Sequence, residues 1–147
     1  MRVIMIALLL TTSCFSQVQT LAKAIAKAEG FGKAGALPSR YRNPGDLKAV
    51  RGYRYPGQVG VGKGGHVIFR SNDAGWAALE HQIDKMADGT SRYNVNMTLE
   101  EISKKYAGSW RVWSTSVARN LGVTPGTSLW EVLNVPPIME ESWKTQK

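Results

Sequence analysis

The chain has 147 residues, a length that suits one domain with a sizeable core. Hydrophobic residues make up 43% and charged residues 20%, which excludes intrinsic disorder, a collagen-like chain and a polytopic membrane protein. The single cysteine excludes an internal disulfide framework and a cysteine-based zinc site. A net charge of +8 predicts an anionic partner, such as nucleic acid, anionic lipid or bacterial cell wall.

Residues 1–16 have the order of a secretory signal peptide: a basic start, an unbroken apolar run over 3–10, and small polar residues. The apolar run is too short to span a bilayer, which takes about 20 residues, so no transmembrane segment is predicted. Cleavage after Ser13 would leave Cys14 first, in a sequence that loosely resembles a lipoprotein box, and would provide a lipid anchor. Cleavage after Ser16 would remove that cysteine. We therefore expect export to the periplasm or cell envelope, with the anchor undecided.

Apolar side chains at helical spacing, with residues that start or stop a helix, predict five helices. They are a helix from Val18 to the stop at Gly30, a helix over 73–88, one from the capping box of Thr98 and Glu101 to Gly108, one through Trp113 to Gly122, and a short one opened by the capping box of Ser128 and Glu131.

The Gly- and Pro-rich stretch between the first two helices predicts a small hairpin. Its strands are expected at 46–50 and 66–70, with 57–65 as the flexible loop between them. The fold class is therefore α+β, mainly α, with one domain over 17–135. The polar tail 136–147 is expected to be loosely held.

Glu29 is the residue that this pattern singles out for chemistry. It precedes Gly30 and lies four residues after Ile25, so it shares the apolar face of the first helix or its edge. Reduced hydration and the negative helix end both raise the pKa of a carboxyl group there. A glutamic acid still protonated near neutral pH suits the general acid that a glycosidic oxygen needs. The alternative is an ordinary helix end that turns Glu29 to water.

The sequence Ala28-Glu29-Gly30-Phe31, followed by Arg40-Tyr41-Arg42-Asn43-Pro44-Gly45-Asp46-Leu47, resembles the lysozyme-like superfamily, specifically small soluble-lytic-transglycosylase-like and phage-associated muramidase domains. The resemblance implies a lysozyme-like helical domain whose first core helix ends at the acid, Glu29. It also implies cleavage of the β-1,4 bond between N-acetylmuramic acid and N-acetylglucosamine in peptidoglycan. No cofactor is expected, and a monomer is expected.

Two routes of cleavage stay open. A lytic transglycosylase would use Glu29 alone, first as acid and then as base, while the muramic 6-hydroxyl closes a 1,6-anhydro ring. An inverting hydrolase needs a second carboxylate, about 6.5–9.5 Å away, to activate water. Asp46 is the candidate because it would begin the hairpin opposite the first helix, although an Asp after Pro-Gly is also a common turn residue. We expect the transglycosylase.

The candidates for substrate binding are Phe31, Asn43, Gly45, Tyr106 and Trp110. Asn43 could hydrogen-bond a sugar acetamide or orient Glu29, or simply form the turn that Gly45 helps to fix. Tyr106-Ala107-Gly108 resembles the Tyr-containing motif that contacts the acid in transglycosylases, without the Asn that usually follows the Tyr. Aromatic rings give sugars flat apolar faces, and core packing is their other common role.

Trp113, Tyr53 and Tyr55 are further aromatic side chains that could face a sugar. No metal site is predicted, because His66 and His81 are isolated and neither has an evident carboxylate partner. The segment 60–65 lacks the spacing of a phosphate loop and is either a flap over the cleft or a hairpin tip.

A non-catalytic basic binding module for cell wall or nucleic acid is the alternative function. Cations and tyrosines interleave over 40–55, a pattern compatible with phosphate contacts and base stacking: Arg40, Tyr41, Arg42, Lys48, Arg51, Tyr53, Arg54 and Tyr55. The signal peptide argues against intracellular nucleic acid, so no nucleic acid is expected as the partner. A catalytically inactive lysozyme-like scaffold is a third interpretation.

Overall fold

The computed structural model describes the backbone of residues 3–139 and the side chains of residues 15–139. The elements in chain order are α1 (Val3–Glu29), α2 (Leu37–Arg40), β1 (Gln58–Val61), a 3-10 turn (Lys63–Gly65), β2 (Val67–Phe69), α3 (Asn72–Asp88), α4 (Leu99–Tyr106), α5 (Trp110–Leu121) and α6 (Leu129–Leu133). This confirms a mainly helical α+β fold with one small antiparallel hairpin.

The apolar face of α1 forms the centre of the core. Val18, Leu21 and Ile25 recur at helical spacing and are at most 4% exposed. They belong to one buried cluster that also contains side chains of α3, α4, α5 and α6. The packing therefore holds the C-terminal end of α1, where Glu29 lies, rigidly against its neighbours.

α1 begins at Val3 and is longer than the sequence pattern predicted. Both expected cleavage points, after Ser13 and after Ser16, lie within this helix, and the signal peptide stays a prediction. The side chains up to Cys14 lie outside the described residues. No helix in the described part of the chain has the length and apolarity needed to cross a membrane.

The predicted helix signals of α3 and α4 are confirmed in atomic detail. The Ser71 hydroxyl accepts a hydrogen bond from Ala74 N, and α3 ends at Gly89 with a φ of 72°. In the capping box of α4, Glu101 N donates to Thr98 Oγ1 (3.2 Å) and Thr98 N donates to Glu101 Oε2 (2.8 Å). α4 therefore begins at the capping box that the sequence indicated, and α3 begins one residue before the predicted range 73–88.

The N-terminal strand of the hairpin was predicted in the wrong place. Strand β2 lies within the expected range 66–70, but its partner is β1, inside the expected loop, and not 46–50. Residues 46–50 make only an isolated bridge from Lys48 to His66, and Val50 bridges back to Tyr53. The reason is that Asp46 has a φ of 49° and Gly52 a φ of 77°, so the chain turns at both positions instead of extending.

We refer to residues 30–71, between α1 and α3, as the hairpin lobe. Gly75 of α3 anchors the lobe, because a Cβ there would collide with the backbone carbonyl oxygen of Arg42 and approach Pro44. Phe69 N donates to Tyr41 O (2.9 Å), which joins β2 to the start of the lobe. The lobe is thus fixed against α3 and faces the end of α1.

The C-terminal tail is held at its start. Asn96 Nδ2 donates to Ile138 O (2.8 Å), and Ile138 N donates to Asn96 Oδ1 (2.9 Å). This pair corrects the expectation of a loosely held tail for residues 136–139. The rest of the tail lies outside the described residues.

Candidate active site

A cleft of about 860 Å³ separates the end of α1 and the junction of α4 and α5 from the hairpin lobe. This volume lies in the range typical of small-molecule sites. The polar side chains that line it include Glu29, Asp46, His66, Tyr106 and Trp113. The two predicted catalytic carboxylates, Glu29 at the end of α1 and Asp46 in the hairpin lobe, therefore share one cleft.

Glu29 is the last residue of α1, and its side chain is largely withdrawn from water. Burial, as the larger cause, and the nearby charge of Asp46 together raise the pKa of its carboxyl group from 4.5 to about 7. A hydrogen bond from Trp113 acts in the opposite direction on the same pKa. A large fraction of Glu29 is therefore protonated near neutral pH.

Trp113 fixes one oxygen of this carboxyl group. Its Nε1–H donates to Glu29 Oε1 at 2.7 Å. An indole nitrogen can only donate, so Oε1 acts as the acceptor and the acidic proton is favoured on Oε2. Trp113 is itself 5% exposed, in the first turn of α5, and Asn120 Nδ2 farther along this helix donates to Ala24 O of α1 (3.1 Å). The α1–α5 contact thus aligns the carboxyl group.

Tyr106 connects the α4 side of the cleft to the lobe. Its hydroxyl donates to Gly45 O at 2.6 Å, and its ring lies 5.0 Å from the ring of Trp113. Burial raises the pKa of the Tyr106 hydroxyl well above its ordinary value of 10.0, and the charge of Glu29 adds to this effect. Tyr106 therefore remains a hydrogen-bond donor that holds the turn before Asp46.

Asn43 has a structural role, which corrects its assignment to substrate binding. The side chain is fully buried (0% exposed) and does not line the cleft. Its Nδ2 donates to Leu47 O (2.9 Å) and Val67 O (3.0 Å), and its Oδ1 accepts from Leu47 N (2.8 Å). With these bonds its amide holds the turn and β2 together, and it is not available to a sugar.

Gly45 contributes through its backbone and the space that it leaves, and it does not line the cleft. A Cβ at this position would lie 2.8 Å from Leu79 Cδ1 and 3.2 Å from the Tyr106 hydroxyl oxygen. The absence of a side chain therefore lets the turn approach α3 and Tyr106. The predicted role of Gly45 in binding substrate is replaced by a role in positioning.

Asp46 is held in an uncommon conformation beside His66. Its φ is 49°, in the left-handed region that non-glycine residues rarely occupy. His66 Nδ1 lies 2.9 Å from Asp46 Oδ1 and 3.1 Å from Asp46 O. Only the contact with the backbone oxygen has hydrogen-bond geometry, which leaves the buried Oδ1 without a hydrogen-bond partner among the described residues. The interaction of His66 with this carboxylate is therefore chiefly electrostatic.

The pKa of Asp46 is raised above its ordinary value of 3.8 by burial, against the lowering effects of His66 and Lys48. The expectation that His66 has no carboxylate partner was thus wrong. Among the described residues, no group of three or more His, Cys, Asp or Glu side chains is placed to hold a metal ion.

Phe31 and Trp110 do not line the cleft, which corrects their predicted place. Phe31 packs edge-on against Trp76 of α3, with ring centroids 5.4 Å apart. Trp110 lies under two cations, with Lys104 Nζ 4.8 Å and Arg111 Cζ 4.3 Å from its ring centroid. The aromatic side chains that do line the cleft are Tyr55, Tyr93, Tyr106 and Trp113.

The sequence pattern singled out Glu29 as a candidate but did not indicate its contact with Trp113. These residues lie 84 positions apart, and Trp113 also fits the apolar face of its helix. The available signal was chemical, since a buried indole N–H usually needs an acceptor.

No family model, curated protein or solved structure matches the chain.

Proposed function

We propose that this protein cleaves the glycan strands of peptidoglycan, with Glu29 as the general acid. The observation that carries the proposal is a carboxyl group in a cleft with a pKa of about 7, one oxygen of which is fixed by a tryptophan. A general acid works best when its pKa lies near the working pH. The choice of substrate, the bond between N-acetylmuramic acid and N-acetylglucosamine, rests on the sequence resemblance.

The favoured route is the lytic transglycosylase. Glu29 gives its proton to the glycosidic oxygen as the bond from that oxygen to C1 breaks, and the released sugar leaves as an alcohol. The muramic 6-hydroxyl then bonds to C1 and returns its proton to Glu29, which closes the 1,6-anhydro ring. One carboxyl group serves both steps, and no water is consumed.

The second candidate is an inverting hydrolase in which Asp46 is the base. The presence of Asp46 in the same cleft, where its charge raises the pKa of Glu29, favours this candidate. Water would bond to C1 while Asp46 accepts its proton and Glu29 protonates the leaving oxygen. His66 would then be a positioning residue, because its contact favours the ionised carboxylate of Asp46.

Digestion of purified peptidoglycan followed by mass spectrometry distinguishes the two routes. Anhydro-muropeptides indicate transglycosylation, and reducing ends indicate hydrolysis. Glu29→Gln should lower either activity by about 10²-fold or more, because it removes the proton donor and nearly preserves the shape. Glu80→Gln, on α3 outside the cleft lining, is the matched control. A fully active Glu29→Gln protein would exclude Glu29 as the acid.

The pH profile gives a second criterion. For the transglycosylase, activity should fall as the pH rises through about 7, where Glu29 loses its proton. The hydrolase should show an additional decline on the acidic side, because protonation of Asp46 removes the base. If the hydrolase is correct, Asp46→Asn should abolish hydrolysis, and with it the decline of activity at acidic pH. Anhydro products that persist at the normal rate in this variant would exclude Asp46 as a base.

A further inference from the structure

The positive charge of the chain is concentrated on the hairpin lobe. Residues 30–71 contain eight Lys and Arg residues and a single carboxylate, so the lobe carries +7 of the net charge of +8. The eight cations are Lys33, Arg40, Arg42, Lys48, Arg51, Arg54, Lys63 and Arg70. The helical remainder of the chain is nearly neutral.

All eight cations are exposed. Within the part of the chain whose side chains are described, the two ion pairs are His66–Asp46 and Lys104–Glu100, and neither uses one of the eight. Arg54 and Arg42 hydrogen-bond only to backbone oxygens, of Gln58 and Phe69. These charges are therefore available to an external anion.

Large apolar side chains are exposed on the same lobe. Val59 and Val61 of β1 are 58% and 52% exposed. Val50 and Tyr53 of the preceding turn are 54% and 38% exposed. Four large apolar side chains exposed within residues 50–61 are a concentration of the kind that commonly marks a binding surface.

We propose that the hairpin lobe binds the surface of an anionic phospholipid bilayer. The cations would contact the headgroups, while the valines and Tyr53 would enter the boundary between headgroups and acyl chains. Nucleic acid or another soluble polyanion would engage the charges but offer no apolar layer to Val59 and Val61. The apolar side chains therefore favour the bilayer, and this inference does not depend on the proposed enzymatic activity.

The test is cosedimentation of the full chain with vesicles of phosphatidylcholine alone and of phosphatidylcholine with phosphatidylglycerol. Any contribution of the apolar N-terminal run to lipid binding is common to both kinds of vesicle, so the ratio of the two affinities isolates the contribution of the lobe. Arg51→Gln with Lys63→Gln should weaken binding to the anionic vesicles by about tenfold or more, since each cation near such a surface contributes about fivefold. The matched pair Lys23→Gln with Arg119→Gln removes two exposed charges from helices and should change the affinity for anionic vesicles by less than about threefold.

Val59→Ser with Val61→Ser is the decisive variant, because it keeps every charge. Both side chains are more than half exposed, so the fold should be retained, which circular dichroism checks. We expect at least a fivefold loss of binding to anionic vesicles and no change in binding to duplex DNA. A valine variant that binds anionic vesicles like the unchanged protein would overturn the proposal, as would equal affinity of the unchanged protein for both kinds of vesicle.

Failure of the proposed vesicle binding can be distinguished from failure of the proposed enzymatic activity. Glu29→Gln keeps the whole lobe and should bind anionic vesicles like the unchanged protein. The valine variant keeps the two carboxyl groups of the cleft. Loss of vesicle binding in Glu29→Gln would show that the lobe is not the binding surface.

Discussion

Replacement of Glu29 by Gln should change how the stability of the fold depends on pH. In the unchanged protein, burial and the nearby charge of Asp46 raise the pKa of Glu29 from 4.5 to about 7. Between these values the folded state holds a proton that the unfolded state has released, so the free energy of unfolding falls as the pH rises. At about 1.4 kcal/mol for each tenfold change in acidity, the loss from pH 4.5 to 7 is roughly 3 kcal/mol.

The glutamine side chain has no proton to lose, so the variant should lack this contribution. The stability of Glu29→Gln relative to the unchanged protein should therefore increase by roughly 3 kcal/mol between pH 4 and pH 8. Urea unfolding of both proteins at several pH values in this range measures the difference. Asp46 is present in both proteins, so its own contribution to the pH dependence of stability largely cancels.

Glu101→Gln is a control with the opposite sign. The backbone N–H of Thr98 lowers the pKa of Glu101 below 4.5, so this carboxylate stabilises the fold above that pH and the effect is lost on acidification. Its variant should lose stability relative to the unchanged protein as the pH rises. If the stability difference between Glu29→Gln and the unchanged protein stays constant with pH, the Glu29 carboxyl group is hydrated. The argument for a general acid would then lose its basis.

Three further substitutions test the contacts around the cleft. Trp113→Phe removes the hydrogen bond that lowers the pKa of Glu29, so the alkaline limb of the cleavage profile should move to higher pH, and an unmoved limb would contradict this role. Tyr106→Phe leaves the turn carbonyl oxygen without its donor and should cost about 1–3 kcal/mol in urea unfolding; unchanged stability would show that the bond is dispensable. Gly75→Ala forces a Cβ into a backbone oxygen of the lobe and should cost about 2 kcal/mol or more. Gly108→Ala, where the added Cβ meets open space, should change stability by less than about 0.5 kcal/mol, and equal effects of the two would refute the steric argument.

The helical part of the fold was predictable because its signals are local. Apolar periodicity placed α1, α3 and α5, and the Thr98–Glu101 capping box fixed the start of α4. The position of Glu29 at the end of an apolar helix was predictable for the same reason. Each of these predictions depended on residues within two helical turns of one another.

The lobe and the partners of the two carboxyl groups depend on distant residues. Asn43 hydrogen-bonds to Val67, Tyr106 to Gly45, and Trp113 to Glu29, across separations of 24, 61 and 84 positions. Asp46 and His66 lie 20 positions apart and meet because the hairpin returns to the turn. No periodicity in the sequence encodes such contacts, and for this reason the strand at 46–50 and the aromatic residues Phe31 and Trp110 were misplaced.

Departures from ordinary folding rules concentrate around Asp46 and Glu29. Three residues other than glycine have positive φ in the described chain, and Asn134 has an ordinary explanation as the C-cap of α6. The other two, Arg42 and Asp46, flank the turn that Asn43 and Tyr106 hold. The buried, unpartnered Oδ1 of Asp46 and the raised pKa of Glu29 belong to the same cleft. Such costs persist where the surrounding structure enforces them, and they gather at functional sites. On the proposed function, the cleft is the place where activity competes with stability in this fold, so Glu29→Gln should become more stable relative to the unchanged protein as the pH rises while it loses activity.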